Sequence, residues 1–321
     1  MVLAIEWLDD PKPTIRLIDQ TLLPGTEQYI DVTTVDVLVE SIRELVIRGA
    51  PALGAAGALG VALAMVQAGD EHWDATRLER EIDRIRDARP TAVNLAWGVN
   101  QVRGSVPAGL TTVLGLARQV VADDEAANRQ LSKHGADWIL AHVDKDKVRV
   151  VTHCNTGALA TSAWGTAYGI IHELHQRGRL GLVYADETRP LLQGARLTSW
   201  ELLHDGIEHV VQADSAAAST ILRGLVDVAI IGADRIAANG DTANKVGSVS
   251  LALACQRAGI PFIVAAPSST VDLTIKRGGD IVIEERHEDE LLSVAGVRMA
   301  PAGVRGFNPA FDVTPHDLIS I

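Results

Sequence analysis

The sequence predicts an α/β protein in two parts, a small amino-terminal α+β domain and a larger domain built on a mostly parallel, doubly wound sheet. Two observations carry this. From Lys147 onward, short apolar runs at 148–152, 182–185, 210–211, 228–231, 262–265 and 281–283 alternate with helical stretches, the rhythm of strand–helix–strand units. Apolar residues make up 47% of the chain and aromatics only 4%, so the core is built from Ala, Val, Leu and Ile, the aliphatic bias of strands buried on both faces. A chain of 321 residues exceeds one small domain, and a long helical stretch over 111–142 that could link two domains places the boundary near residue 130, giving domains 1–130 and 131–321.

Each element has its own justification. Residues 4–33 alternate apolar and polar side chains, with Pro11, Pro13, Pro24 and Gly25 as punctuation, and predict a small antiparallel β element. Val35, Leu38, Ile42 and Leu45 have helical spacing, and the helix stops at Arg48-Gly49-Ala50-Pro51. The next helix carries Gly54, Gly57 and Gly60 three apart, a bare face that lets another element approach closely. A charged amphipathic helix over 74–88 ends at Arg89-Pro90-Thr91, another begins around Asn94, and 111–142 forms a long helix. In the second part, 158–175 and 193–204 read as helices. The strands end in polar clusters: His153-Cys154-Asn155, Asp186-Glu187-Thr188, Asp214-Ser215 and Gly232 through Asp234.

Charge and cysteine usage exclude several classes. Lys plus Arg number 29 against 41 Asp plus Glu, a net charge of −12, which disfavours nucleic acid or an anionic membrane as a partner. Two cysteines, Cys154 and Cys255, with no CxxC pattern point to a reducing, cytoplasmic home. The amino terminus shows no signal peptide, and the Ala/Gly-rich run 49–66 suits a packed helix better than a membrane span. No GxGxxG follows a strand and no Walker sequence occurs. The histidines of His172-Glu173-Leu174-His175 are three apart rather than four, so no metal site is expected.

The candidate chemistry sits at strand ends, where parallel sheets place ligands. The stretch 227–248 runs from a buried strand to Asp234, a polar loop holding Asn244 and Lys245, and a helix beginning at Ser248. Burial beside a strand raises a carboxyl pKa, which suits Asp234 to general-acid work, while Lys245 and the helix amino end could hold a phosphate. The alternative is a turn-capping Asp and a solvated Lys. Cys154 follows a strand at a presumed helix amino end, which favours thiolate, although a lone cysteine is more often inert core. Arg48 and Gly49 at a helix break form a candidate anion site, whereas Arg89 by itself reads as a solvated helix-end cation. An acid and a base on either side of a bound sugar would suit isomerisation.

Six blocks in order take the reading further: the Arg48-Gly49-Ala50-Pro51 loop, RPTAVNLAW at 89–97, THCNTGALAT at 152–161, ETRPLLQGARLTSWEL at 187–202, GADRIAANGDTANKVGS at 232–248 and FNPAFDVTP at 307–315. Together they resemble the methylthioribose-1-phosphate isomerase family, over nearly the whole chain from residue 17. The resemblance implies a Rossmann-like carboxyl-terminal domain, a homodimer, and conversion of 5-methylthioribose 1-phosphate to 5-methylthioribulose 1-phosphate in methionine salvage with no cofactor. It assigns Cys154 and Asp234 to catalysis, and Arg48, Gly49, Ala50, Arg89, Gln193, Asn244 and Lys245 to substrate. Arg89 thereby moves from the solvated reading to the functional one. Two relatives of the same fold bound the specificity: sugar-1-phosphate isomerases acting on ribose 1,5-bisphosphate or 5-deoxyribose 1-phosphate, and non-enzymatic regulatory subunits of a translation-factor exchange complex. The RPTAVNL and NGDTANK blocks stand closer to the methylthioribose enzymes.

Overall fold

The protein is described by a computed structural model covering residues 2–321. It divides into two compact units, 2–130 with 157–165, and 131–156 with 166–321.

In the first unit, β1 (Ile5–Leu8), β2 (Thr14–Ile18) and β3 (Tyr29–Val32) form an antiparallel sheet in that order. The inward residues Ile5, Ile15, Leu17 and Val32 meet Val35, Leu38, Val39 and Ile42 of α1 (Val35–Arg43) in one aliphatic core. Thr34 caps α1 by accepting from the Val37 amide, as short polar caps do. The helix ends earlier than its pattern predicts, because Leu45 takes a left-handed backbone. Next comes α2 (Ala50–Asp70), long and apolar enough to cross a membrane, but every residue from 52 to 64 is buried in this core. Then follow α3 (Ala75–Arg86), α4 (Val93–Arg103) and the start of α5 (Leu110–His142), within which the unit boundary falls. The bare face of α2 does what its spacing predicts. A Cβ on Gly57 would lie 2.4 Å from the Leu95 carbonyl oxygen of α4, and one on Gly98 would lie 1.9 Å from that of Gly54. Gly60 instead faces Leu38 and Ile85 side chains.

The second unit is organised by five parallel strands: β4 (Val148–Thr152), β5 (Leu180–Asp186), β6 (His209–Gln212), β7 (Val228–Ile231) and β10 (Phe262–Val264). Their order is β10-β7-β4-β5-β6. Successive side chains leave opposite faces of a strand. Val148, Val150, Val183, Val228 and Ile230 therefore pack with residues of α5, α6 (Ala167–Gln176) and α7 (Ser199–His204). Val151, Ala229 and Ile231 pack on the other face with α8 (Ala217–Leu222) and α9 (Ser248–Ala258). Helices on both faces make the sheet doubly wound, as expected.

Three segments depart from their sequence patterns. The polar loop after Asp234 is an antiparallel pair, β8 (Arg235–Ala237) and β9 (Thr242–Lys245), within a second sheet ordered β11-β8-β9-β14, where β11 is Val271–Asp272 and β14 is Phe311–Thr314. The helix expected over 158–175 begins only at Ala167, because 157–165 leaves to join the first unit. No strand forms over 281–283. Ile281 turns inward while Val282 is 80% exposed, and the pairing nearby is a single bridge from Glu285 to Pro309. A short α10 (Asp289–Leu292) and the two-residue strands β12 (Ser293–Val294) and β13 (Val297–Arg298) complete the chain.

Candidate active site

The strand order reverses direction between β4 and β7. Chain progression runs outward through β5 and β6 on one side and through β7 and β10 on the other. At such a switch point the crossovers diverge and leave a crevice beyond the strands' carboxyl ends. Cys154 lies two residues past the end of β4 and Asp234 three past the end of β7. The two strands are in direct register, Thr152 opposite Ile230, and the Thr152 hydroxyl donates to the Ile230 carbonyl at 2.8 Å. Sulfur and carboxylate are thus carried by neighbouring strands at the fold's natural ligand position.

Cys154 is held in an unusual backbone state. Its φ is +65°, a left-handed conformation that costs a residue with a side chain about 1–3 kcal/mol and persists only where surroundings enforce it. Two threonines supply that enforcement. The Cys154 amide donates to Thr188 Oγ1 at 2.8 Å, and Thr198 Oγ1 donates to the Cys154 carbonyl at 2.6 Å. Thr188 is itself fixed, since its amide and that of Arg189 donate to Asp214 at 2.7 and 2.6 Å. Asp214 is therefore turn chemistry, a cap on the 188–189 loop. The expectation that a helix begins just after Cys154 is corrected: a short 3-10 turn comes first at Ala158–Ala160 and α6 starts at Ala167, so the thiol does not sit at the amino end of α6. Cys255 lies in the core with its thiol pushed up to about 12 by burial.

The phosphate reading of the α9 amino end is corrected as well. Asp312, from β14, accepts from the Gly247 amide at 2.7 Å and from the Val249 amide at 3.3 Å, so a carboxylate of the chain already occupies that end. Lys245 is buried in β9, where its Nζ donates to the Ala310 carbonyl at 2.9 Å and sits 4.8 Å above the Phe311 ring. The neighbouring Asn244 is buried and donates to Ser248 Oγ at 2.9 Å, and Ser248 donates on to the Lys245 carbonyl at 2.8 Å. Gln193 follows the 188–192 loop, and its buried Oε1 has no hydrogen-bond partner among the described residues. An orphaned buried acceptor costs about 1–3 kcal/mol and calls for a ligand donor.

In the first unit, Gly49 caps α2 at φ +94°, and a Cβ there would lie 2.3 Å from the Ala160 carbonyl oxygen, so only glycine fits. Arg48 beside it is half-buried, Ala50 opens the helix, and half-buried Arg89 sits in the turn between α3 and α4. Asn94, in the same block as Arg89, has a buried Nδ2 with no partner among the described residues. Sequence reasoning read Asn94 as a helix start; an orphaned donor shows only in three dimensions.

His153, Asp186 and Asp214 come close enough to ligate an ion. Both ring nitrogens of His153 already face protein oxygens, Asp186 Oδ2 at 3.0 Å and the Val246 carbonyl at 2.8 Å. Asp186 also accepts from Gln212, and Asp214 accepts from two amides, so each member of the trio already holds protein groups around Cys154.

The model of the Initiation factor 2 subunit family matches residues 46–321. A methylthioribose-1-phosphate isomerase of Gloeobacter violaceus is 46% identical over 312 residues, covering 96% of this chain and 88% of its own. The chain belongs to the methylthioribose-1-phosphate isomerases of that family. A probable bifunctional methylthioribose-1-phosphate isomerase/methylthioribulose-1-phosphate dehydratase of Nocardia farcinica is 47% identical over 99% of this chain, which spans 57% of that longer protein. Among solved structures, the 5-methylthioribose 1-phosphate isomerase of Pyrococcus horikoshii superposes with a TM-score of 0.89 at 37% identity, covering 100% of this chain and 90% of its own. A structure from A. fulgidus described as translation initiation factor eIF-2B, subunit delta, superposes with a TM-score of 0.86, also at 37% identity, covering 100% and 93%. By its membership the chain is an aldose–ketose isomerase.

Proposed function

We propose that this chain converts 5-methylthioribose 1-phosphate to 5-methylthioribulose 1-phosphate in methionine salvage, with Cys154 and Asp234 as its catalytic residues. The observation that carries the reading is the placement of these two side chains beyond β4 and β7, the adjacent strands where the sheet order reverses. Arg48, Gly49, Ala50, Arg89, Gln193, Asn244 and Lys245 serve the substrate, and the orphaned oxygen of Gln193 supports its role as an acceptor for a sugar hydroxyl.

The anomeric oxygen of the substrate carries phosphate, so its ring cannot open by loss of a hydroxyl proton. Asp234, protonated, gives its proton to the ring oxygen as the bond from that oxygen to C1 breaks, leaving a cationic C1 and a free C4 hydroxyl. Hydrogen then moves from C2 to C1. In one route the Cys154 thiolate takes it as a proton and returns it to C1 through an enediol-like state, and the C2 hydroxyl proton leaves to a base as the C2 carbonyl forms. In the other it moves as a hydride while the C2 hydroxyl proton leaves to a base. Hydrogen shifts within the substrate, electrons are neither gained nor lost overall, and no cofactor is needed. The burial of Cys154 favours the hydride route. Full retention of a C2 deuterium in product formed in ordinary water is the expected result, and complete washout would select the proton route.

A homodimer in the cytoplasm belongs to the same reading. Exposed apolar side chains at Val282, Val297, Met299 and Phe307 support a partner surface in the carboxyl-terminal part, and Cys154 and Cys255 form no disulfide. The deciding assay compares turnover on 5-methylthioribose 1-phosphate with turnover on ribose 1,5-bisphosphate. Fast conversion of the methylthio sugar alone is expected. Preference for the bisphosphate would move the specificity, and silence on both would favour a non-enzymatic role as a regulatory or assembly module.

A further inference from the structure

His153 directly precedes Cys154, is buried, and has no role in the chemistry above. Its surroundings define its protons. The Val246 carbonyl can only accept, so Nε2 carries hydrogen and donates to it at 2.8 Å. Nδ1 faces Asp186 Oδ2 at 3.0 Å. The other oxygen of Asp186 accepts from Gln212 Nε2 at 2.9 Å, and Thr220 fixes that amide's orientation by donating to Gln212 Oε1 at 2.7 Å. One proton therefore lies between His153 Nδ1 and Asp186 Oδ2, and both ring nitrogens act as donors to fixed acceptors. The ring also occupies the space above Gly247, where an added Cβ would meet Cε1 at 2.9 Å and Nε2 at 3.0 Å. Gly247, at φ +110°, is glycine for both reasons.

The geometry points to His153 as a positioning residue for the isomerisation: it clamps the end of β4, where Cys154 adopts its left-handed backbone, to the Val246–Gly247 turn that directly follows Asn244 and Lys245. The inference rests on the reading of Cys154 as catalytic. It explains why a fully hydrogen-bonded histidine lies between a strand and a turn that share no ladder; β4 pairs with β5 and β7, and β9 with β8 and β14. Burial works against a charged ring, but the bond to Asp186 and the charges of Asp186 and Asp214 outweigh it, and the His153 pKa is raised. Asp312 is the third acid facing the ring. These charges favour keeping the second proton on the His153–Asp186 pair.

Two variants separate the clamp from bulk packing. In His153→Asn the side-chain amide falls at the Nδ1 position and cannot reach Val246. In His153→Gln it falls at the Nε2 position and keeps that donation. We expect His153→Asn to lower kcat ~10²-fold with KM little changed, the scale set by small misplacements of a reacting group. His153→Gln should recover most of that loss. Equal losses in the two variants, or full activity in His153→Asn, would overturn the proposal. Ring NMR on the unaltered protein gives a readout independent of how the variants fold. A protonated, exchange-protected His153 Nε2 at pH 8 is expected, and an unprotonated or freely exchanging nitrogen would overturn the clamp. Cys154→Ser run beside them isolates the underlying reading: unchanged turnover there would remove the catalytic role of Cys154, whatever the ring spectrum shows.

Discussion

Two helices, α2 and α9, begin with the same local signal and end up holding different things. Each opens after a glycine at positive φ, Gly49 at +94° and Gly247 at +110°, and each glycine lies against another part of its own unit. At α9 the first amides are taken by Asp312, which follows the helix by some fifty residues in sequence. At α2 the cap is a glycine with no side-chain oxygen, preceded by half-buried Arg48. The amino end is thus capped by a carboxylate of the chain at α9 and carries no side-chain cap at α2, where an anion would find the dipole unopposed. A sequence window of ten residues cannot tell these cases apart, because the deciding carboxylate comes from another strand.

The comparison can be broken by substitution. The largest effect is expected for Arg48→Ala: if Arg48 holds the substrate phosphate as proposed, the substitution removes a charge-assisted contact worth about 1.5–3 kcal/mol. A rise in KM of roughly 10–100-fold in steady-state kinetics would sharpen the contrast between the two helix ends, and an unchanged KM would erase it. Gly49→Ala and Gly247→Ala come next. Each forces a side chain into a left-handed backbone and into a contact under 3 Å, with the Ala160 carbonyl in one case and the His153 ring in the other. A loss of about 2–3 kcal/mol in urea unfolding is expected for both, and only Gly247→Ala should also disturb the His153 ring signals.

The smallest effect concerns Asp312. Burial raises its pKa, opposed by the Gly247 and Val249 amides. Because the folded-state pKa lies above the unfolded one, ionisation costs the folded protein more. The contribution of this group to stability falls as pH rises from the unfolded value near 4 through the folded one. Asp312→Asn should flatten that segment of the stability–pH curve while costing under about 1 kcal/mol at pH 7. A curve unchanged in shape would show that Asp312 titrates as it does in the unfolded chain.

How much of this was legible in the sequence follows from the range over which each feature is decided. The strands of the central sheet were readable because Val228 to Ile231 is apolar without interruption and Val148 to Val151 is broken only by Arg149, as burial on both faces requires. Strand β9 was not. Thr-Ala-Asn-Lys has no strand signature, and it is a buried strand only because β14 and β8 flank it. Cys154 and Asp234 could be picked out because strand-end positions are fixed by topology. The absence of a helix behind Cys154 could not, since 157–165 is claimed by the first unit. The orphaned atoms of Gln193 and Asn94 record missing partners, which no sequence pattern encodes.

The central claim is that the acid beyond β7 and the thiol beyond β4 together perform a sugar-phosphate isomerisation. Turnover of 5-methylthioribose 1-phosphate by Asp234→Asn, with substrate binding measured separately by calorimetry, tests it most directly. The account predicts binding close to that of the unaltered protein and no detectable turnover. Lost binding with turnover preserved at saturating substrate would contradict it, because Asp234 would then hold the sugar and the proton for ring opening would come from another group.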